Sequence, residues 1–326
     1  MTTGPGKPRK ILVVADTSEV QIALQSALTL AERHGASLEV IACVDPPRDL
    51  SILSRLSGED PDRLIEEAVE HTRKEIRARL DATAPDRRFN LSVAVGKAYL
   101  EIIRHVARTE CDFVVKKAEP LSGIDRFLFA STDQHLLRKC PCPVWLQTPT
   151  ASSAPRRILA AVDLDIRDAA EPETLAALNR RVVDAACMVA GAPDAEVIVL
   201  HAWDAIGEGM IWTFSGGSDP RMSADRYVNE ILDTRHEAMN RLLAQVRTGI
   251  GPEPRLVPRL VRGAPETIIH EQSRQVAADL VVMGTVARTG LSGVFIGNTA
   301  ENIINSLDCP ILAVKPEGFA SPLLAG

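Results

Sequence analysis

The chain contains the same sequence pattern twice, and this repeat constrains its fold more than any other feature. An apolar run that ends in an aspartate opens each copy, KILVVAD from Lys10 and RILAAVD from Arg157. Later, CDFVV from Cys111 matches ADLVV, and CPVWL from Cys142 matches CPILA, both at an offset of 167 positions (278 − 111 and 309 − 142). A shared offset means that no gap separates these two matches. The chain therefore consists of two homologous domains.

The polar stretch TPTASSAPR separates the two copies and is typical of a linker. We predict a first domain over residues 8–148, a linker over 149–156, a second domain over 157–316 and a tail over 317–326. A chain of 326 residues is long enough for two cores. Near the start the offset is only 147 (163 − 16), so the second copy holds 20 additional residues (167 − 147) before Gly263.

Within each copy, short apolar runs alternate with helix-like segments. Near-continuous apolar strands joined by helices indicate parallel strands that are buried on both faces. Five such strands with right-handed crossovers predict an α/β fold, with two tandem doubly wound five-stranded parallel sheets in the order 3-2-1-4-5. The first predicted helix ends at Gly35, a good C-terminal cap. A later amphipathic helix has an apolar side made of Leu64, Ile65, Ala68, Ile76 and Leu80.

Composition excludes several functional classes. The chain has 37 basic and 43 acidic residues, a net charge of −6, which argues against a nucleic-acid partner. No apolar run is long enough for a membrane helix, and the first residues do not resemble a secretory signal. Most of the six cysteines lie in or beside strands, as buried reduced thiols of cytoplasmic proteins do. The sequence CPC at 140–142 resembles a redox or metal pair, but no second pair or His cluster completes a site. We expect a cytoplasmic protein without a metal site.

The candidate ligand site lies in the second copy. Ligands of doubly wound sheets bind beyond the carboxyl ends of strands 1 and 4, where the winding reverses. Asp163 ends strand 1, and the stretch GTVARTGLSGVFIGNTAENI follows strand 4 from Gly284. A glycine there lets backbone approach a ligand closely. Gly297, Asn298 and Thr299 then open a helix, whose free N–H groups favour an anion. We therefore expect a phosphate or nucleotide ligand.

A structural alternative explains part of the same stretch. Asn298 with Glu301 is close to a capping box, which needs no ligand. Capping does not explain Gly284, Arg288 or Gly290, or the length of the connection. These three residues therefore stay among the candidate ligand-binding residues.

The first copy lacks the same glycines. Lys117, Leu121 and Ala130 lie where the second copy has Gly284, Arg288 and Gly297. A lysine in place of the first glycine would fill the phosphate position, so we expect the first domain to have a degenerate ligand loop. Lys116 and Lys117 are then a solvated or salt-bridged pair, or a pair of point charges for an anion.

Taken together, these features resemble the universal stress protein family, of HUP-like α/β fold. They are the two copies, the aspartate at the end of strand 1, and an aspartate followed by Leu or Phe and two valines at strand 4. The last is a late strand that begins with Cys-Pro followed by Val or Ile. The resemblance covers nearly the whole chain and is strongest to the tandem-domain UspE-like subgroup. It implies a stress-response protein of the cytoplasm, with intramolecular pairing of its domains or a further dimer, and with no well-defined catalytic reaction.

The resemblance also implies a ligand for the second domain. In nucleotide-binding members the loop reads Gly, two residues, Gly, nine residues, Gly, then Ser or Thr. This chain keeps the spacing but has Ala287 at the second glycine and Asn298 at the hydroxyl position. By resemblance, Asp163 lies near the ribose of ATP or another adenine nucleotide. The backbone of Gly284, Gly297, Asn298 and Thr299 lies near its phosphates.

The additional residues of the second copy leave other functions open. They fall largely within residues 203–227, which hold four of the twelve aromatic residues: Trp203, Trp212, Phe214 and Tyr227. This aromatic insert is either a lid or contact patch over the crevice or a surface excursion packed on its own domain. The alternative function is a carrier or scaffold that binds an apolar or conjugated ligand or a partner protein. Slow ATP hydrolysis is a weaker option, because no catalytic residue or positioned general base can be named. Lone histidines such as His201 are more typical of core or surface positions than of ligands or bases.

Overall fold

The computed structural model contains ten strands and ten helices among the residues it describes, which are 7–16, 21–119, 131–149, 151–166, 169–192, 194–214, 220–246, 254–285 and 297–324. The first copy folds as β1 (Lys10–Ala15), α1 (Gln21–His34), β2 (Ser37–Val44), α2 (Leu50–Ser57), α3 (Pro61–Thr83), β3 (Asn90–Val95), α4 (Ala98–Thr109), β4 (Phe113–Lys117), α5 (Ser131–Lys139) and β5 (Val144–Gln147). The second folds as β6 (Arg157–Ala161), α6 (Pro172–Val189), β7 (Glu196–Trp203), α7 (Glu208–Phe214), α8 (Pro220–Gln245), β8 (Arg255–Arg262), α9 (Pro265–Gln275), β9 (Leu280–Gly284), α10 (Asn298–Ser306) and β10 (Ile311–Val314).

The strand order predicted for each copy is confirmed. The order is β3-β2-β1-β4-β5 in the first copy and, read from its outer edge, β8-β7-β6-β9-β10 in the second. All pairs within a copy are parallel. As expected for a doubly wound sheet, the central strands are buried on both faces; Ile11, Leu12 and Val13 of β1 are fully buried.

The two sheets are joined into one ten-stranded sheet, which the sequence did not predict. The last strand of each copy, β5 and β10, pair antiparallel with Leu146 opposite Ile311 and Trp145 opposite Leu312. Each of these strands is an edge of its own domain, with one row of N–H and C=O groups unpaired. Pairing the two edges satisfies both rows and removes a surface that favours aggregation.

Helices cover both faces of this sheet. One apolar layer holds α1, α3, α6 and α8, and the other holds α4, α5, α9 and α10. Each layer contains residues of both copies, so the core is continuous across the junction. Helix α1 ends before Gly35, whose φ of +70° is the left-handed conformation expected of a glycine cap. The predicted apolar side of α3 is only partly buried: Ile76 and Leu80 are buried, whereas the first half of the helix is not. Helix α2 and helix α7 were not predicted.

The aromatic insert forms the end of β7, helix α7 and the start of α8. Trp203 is buried at the end of β7, and the Arg262 guanidinium lies 6.0 Å from its ring centre. The Gly207 N–H donates to the Tyr227 hydroxyl at 3.2 Å, which joins the start of α7 to α8. Ile206, beside this contact, is 89% exposed. This segment therefore packs partly on its own domain and leaves apolar side chains in solvent.

Candidate functional site

The predicted ligand crevice lies at the carboxyl ends of the neighbouring strands β6 and β9. Ala161 pairs with Met283, so Asp163 and Gly284 follow at the same edge of the sheet. Gly297 precedes α10, whose first residue is Asn298, and Thr299 is exposed in its first turn. Arg288 and Gly290 lie outside the described residues, as does the side chain of Asn298.

Asp163 is held in a fixed position by helix α6. Its N–H donates to the side-chain oxygen of buried Asn179 at 2.9 Å, and the Asn179 amide donates back to the Asp163 carbonyl at 2.6 Å. The Asp163 carboxylate accepts the N–H of Asp165 at 3.1 Å, which closes a tight turn after the strand. These three bonds hold an acidic side chain at the mouth of the crevice.

Gly284 has a packing role that sequence reasoning missed. A Cβ atom at this position would lie 2.7 Å from Cδ2 and 3.0 Å from Cγ of Leu178, a buried residue of α6. Real Cβ atoms do not approach a neighbour so closely, so a larger residue here would force the Leu178 side chain to shift in the packing of α6 on β9. Gly284 is therefore explained without a ligand, because Leu178 occupies the space beside it.

Helix α10 does not have Asn298 at its N-cap, the position that the capping-box alternative requires. The helix begins at Asn298 itself, one residue earlier than a cap at that position requires, so Gly297 occupies the N-cap position and provides no side-chain bond. The Glu301 carboxylate forms an ion pair with Arg138 of α5, in the first domain. Glu301 therefore contacts the other domain and not the start of its own helix. The N–H groups at the start of α10 gain no partner from a capping box.

A buried lysine next to the crevice was also missed. Lys315, directly after β10, is 2% exposed, and its ammonium donates to the Thr285 hydroxyl at 2.7 Å. It also donates to the carbonyls of Leu137 and Arg138 at the carboxyl end of α5, the negative end of that helix. Burial lowers the pKa of Lys315 to about 7. Lys315 thus connects Thr285, which directly follows β9, to helix α5 of the first domain.

The corresponding crevice of the first domain is filled by an ion pair. The Lys116 ammonium lies 2.9 Å from the Asp133 carboxylate and 2.6 Å from Glu119. Both Lys116 (3% exposed) and Asp133 (0%) are buried. The other Asp133 oxygen accepts the Glu119 N–H at 2.8 Å. Lys116 is therefore salt-bridged and not solvated.

The charges in this pair support each other. Burial alone lowers the pKa of Lys116, but the carboxylates of Asp133 and Glu119 raise it above its ordinary value. Burial also raises the pKa of Asp133, and the Lys116 ammonium reduces that effect without cancelling it. The second domain has Met283 and Ala300 at the positions of Lys116 and Asp133, each 167 residues later. The two crevices therefore differ: one contains a buried ion pair, and the other has an apolar side chain and a methyl group at the same two positions.

A second polar group lies on the far side of Asp163. Buried His201 of β7 places Nε2 3.8 Å from the Asp165 carboxylate, which forms an ion pair with Arg235 of α8. Burial lowers the pKa of His201, and the carboxylates of Asp165 and Asp163 reduce this effect. A neutral histidine inside the core is consistent with the structural role expected for it. Within the described ranges, no three His, Cys, Asp or Glu side chains are grouped as a metal site.

Comparison with known proteins decides the family. The model of the universal stress protein family matches the chain twice, over residues 7–147 and 155–315. The chain belongs to the universal stress protein family. Universal stress protein E of Salmonella typhi is 28% identical over 97% of this chain and 96% of its own length. The universal stress protein E homolog of Haemophilus influenzae is 29% identical over 95% of this chain and 98% of its own.

A solved structure supports the same fold. A functionally unknown protein of Pseudomonas aeruginosa superimposes with a TM-score of 0.62 and 24% identity, over 95% of this chain and 93% of that one. Membership of the universal stress protein family supports a role in stress response. A search of the described helices finds none that is long and apolar enough to span a membrane.

Proposed function

We propose that this universal stress protein binds an adenine nucleotide, or a similar phosphate ligand, in its second domain, as a cytoplasmic stress-response protein without strong catalysis. The ligand would lie at the carboxyl ends of β6 and β9, with its phosphates toward the start of α10 and its ribose toward Asp163. Arg288, Gly290, Asn298 and Thr299 belong to the proposed contact set, together with Gly284 and Gly297. The first domain would bind no such ligand.

The difference between the two crevices carries this proposal. In the first domain, the Lys116–Asp133 pair supplies both a cation and an anion of its own, so an incoming phosphate would have to displace a buried carboxylate. Such a displacement would leave Lys116 or Asp133 without its partner in a buried site, which is costly. In the second domain, Met283 and Ala300 carry no charge. The positive end of α10 is then available to a ligand phosphate.

Other observations support a cytoplasmic location. All six cysteines lie among the described residues and are free thiols. Three of them are buried and three are partly buried, and free thiols of this kind are typical of a reducing compartment.

Nucleotide binding is tested by transferring the ion pair of the first domain to the second. The double variant Met283→Lys, Ala300→Asp should fill the second crevice and abolish Mg-ATP binding by isothermal titration calorimetry. The matched control, Lys116→Met with Asp133→Ala, gives the first domain the residues of the second and should retain binding. Wild-type protein with ATP at 100 times its Kd should gain about 2.7 kcal/mol in its free energy of unfolding. The absence of a thermal shift with ATP, ADP and AMP would overturn the proposal.

A second candidate, a carrier or scaffold, is favoured by the exposed apolar side chains of the aromatic insert. Ile206 and Met210 are both exposed, and exposed apolar clusters often mark contact sites. Native mass spectrometry of the purified protein distinguishes the two candidates. A co-purifying nucleotide supports the first, and an apolar ligand or bound protein that is lost in Ile206→Ser supports the second.

A further inference from the structure

Two cysteine side chains lie in contact just after helix α5. The sulfur atoms of Cys140 and Cys142 are 3.6 Å apart, with Pro141 between the two residues in the chain. A disulfide bond needs a separation of about 2.05 Å, so the two atoms must approach by only about 1.5 Å. Both side chains are buried, although Cys142 keeps 7% of its surface exposed.

The surroundings favour one thiolate in the pair. The hydrogen bond from Cys142 lowers the pKa of Cys140, and the nearby Lys315 ammonium contributes to the same effect. The same hydrogen bond raises the pKa of Cys142 well above its ordinary value. The pair therefore loses the proton of Cys140 more readily than that of Cys142.

The second domain shows that the fold does not require this pair. Leu307 and Cys309 lie 167 positions after Cys140 and Cys142, and both strands that follow are buried alike. Burial raises the pKa of Cys309 to about 12, as expected for a single thiol in an apolar environment. A leucine therefore fills the first position in one domain, whereas the other domain places a second sulfur there.

We propose that Cys140 and Cys142 form a reversible dithiol–disulfide site that is oxidised by a hydroperoxide, with hydrogen peroxide as the smallest member of that class. The Cys140 thiolate attacks one peroxide oxygen, the O–O bond breaks, and the departing hydroxide takes up the proton that Cys140 had lost. The Cys140 sulfenic acid is then attacked by the Cys142 sulfur. The S–S bond forms as the sulfenic oxygen leaves with the Cys142 proton as water. The two thiols lose two electrons and two protons, and peroxide is reduced to two molecules of water.

The test measures thiols in the folded full-length protein. After exposure to hydrogen peroxide and removal of the oxidant, the chain is unfolded and alkylated with N-ethylmaleimide. Reduced protein should take up six labels, one for each cysteine. Oxidised protein should take up four (six less two), and the tryptic peptide that begins at Cys140 should be unlabelled and lighter by two hydrogen atoms. Treatment with dithiothreitol should restore six labels.

The control uses the residue of the second domain. Cys140→Leu, which copies Leu307, should form no disulfide at Cys142 under the same exposure. Because this variant has an altered core, wild-type protein exposed to peroxide in urea provides a second comparison, in which the disulfide should form more slowly than in the folded chain. Six labels after peroxide, loss of label at other cysteines while the Cys140 peptide stays labelled, or equal rates in folded and unfolded chains would each overturn the proposal.

Discussion

The buried ion pair of the first domain provides a quantitative test of how its crevice is stabilised. Removing one partner of a buried pair costs about 3–5 kcal/mol, because the other charge stays buried alone. Asp133→Ala leaves the Lys116 ammonium with Glu119 at 2.6 Å and the Lys117 carbonyl at 2.9 Å. We therefore expect a loss near the lower limit, about 3 kcal/mol. Lys116→Met leaves the fully buried Asp133 carboxylate with only the Glu119 N–H as a described donor, so we expect about 5 kcal/mol.

The double variant Lys116→Met, Asp133→Ala should cost far less than the sum of the two single changes. It replaces both charges with the residues of the second domain, and replacing a whole buried pair with apolar residues is often close to neutral. We expect a double variant within about 2 kcal/mol of wild type. The assay is urea unfolding followed by circular dichroism, with free energies taken for all four members of the cycle.

Additive free-energy changes in this double-mutant cycle would refute the reasoning. If the double variant lost as much stability as the two single variants together, the charges would act independently and would not compensate for each other. Glu119→Gln is the matched control. Because the Glu119 side chain is 45% exposed, losing its charge should cost no more than about 1 kcal/mol.

Three further predictions concern Lys315, Gly284 and the β5 edge. Lys315 loses its proton near pH 7 in the folded protein and near pH 10.5 in the unfolded chain. The unfolded chain therefore binds more protons between these two pH values. Stability of wild type should thus rise between about pH 7 and 9 relative to Lys315→Met, by up to about 1.4 kcal/mol per pH unit in urea titrations. Gly284→Ala should destabilise the protein by about 1–3 kcal/mol through its clash with Leu178, and Leu178→Ala should relieve that clash in a double-mutant cycle. A fragment of residues 1–149 should self-associate in sedimentation experiments, because β5 loses its partner β10.

One experimental result would contradict each of these three predictions. Parallel pH profiles for wild type and Lys315→Met would show that Lys315 keeps its ordinary pKa in the fold. If Gly284→Ala cost the same stability in wild-type protein and in the Leu178→Ala variant, the proposed clash would be excluded. A monomeric fragment of residues 1–149 at all concentrations would show that the β5 edge is protected without the second domain.

Much of the fold was predictable because its signals are local. The alternation of apolar runs and helical segments identified the strands, and the handedness of crossovers then limited their order. Helices α2 and α7 escaped prediction because they are short, and α2 buries no residue. Three of the five residues on the expected apolar side of α3 are only partly buried, and the two buried ones lie in the second half of this 23-residue helix.

The candidate site was predictable in position but not in contacts. Asp163 and Gly284 could be assigned to one sheet edge, because the carboxyl ends of adjacent parallel strands meet there. The roles of Leu178 and Lys315 could not be found, since each depends on a contact between residues that are far apart in the chain. The sequence left Lys116 and Lys117 as solvated, salt-bridged or anion-binding residues, because the partner that buries Lys116 lies 17 positions later (133 − 116) in a helix.

The sequence by itself determined the duplication, the two doubly wound domains and their family, because repeats and apolar periodicity are properties of the chain alone. Only the tertiary structure decided how those domains combine and which crevice is filled. The junction of β5 with β10 arises because two edges need hydrogen-bond partners, and nothing local specifies which edges meet. The ion pair of Lys116 and Asp133 forms because a buried charge without a partner is energetically costly. The contact between Cys140 and Cys142 depends on both the sequence and the tertiary structure. The sequence places two thiols with one residue between them, and the fold brings their sulfurs into contact beside Lys315.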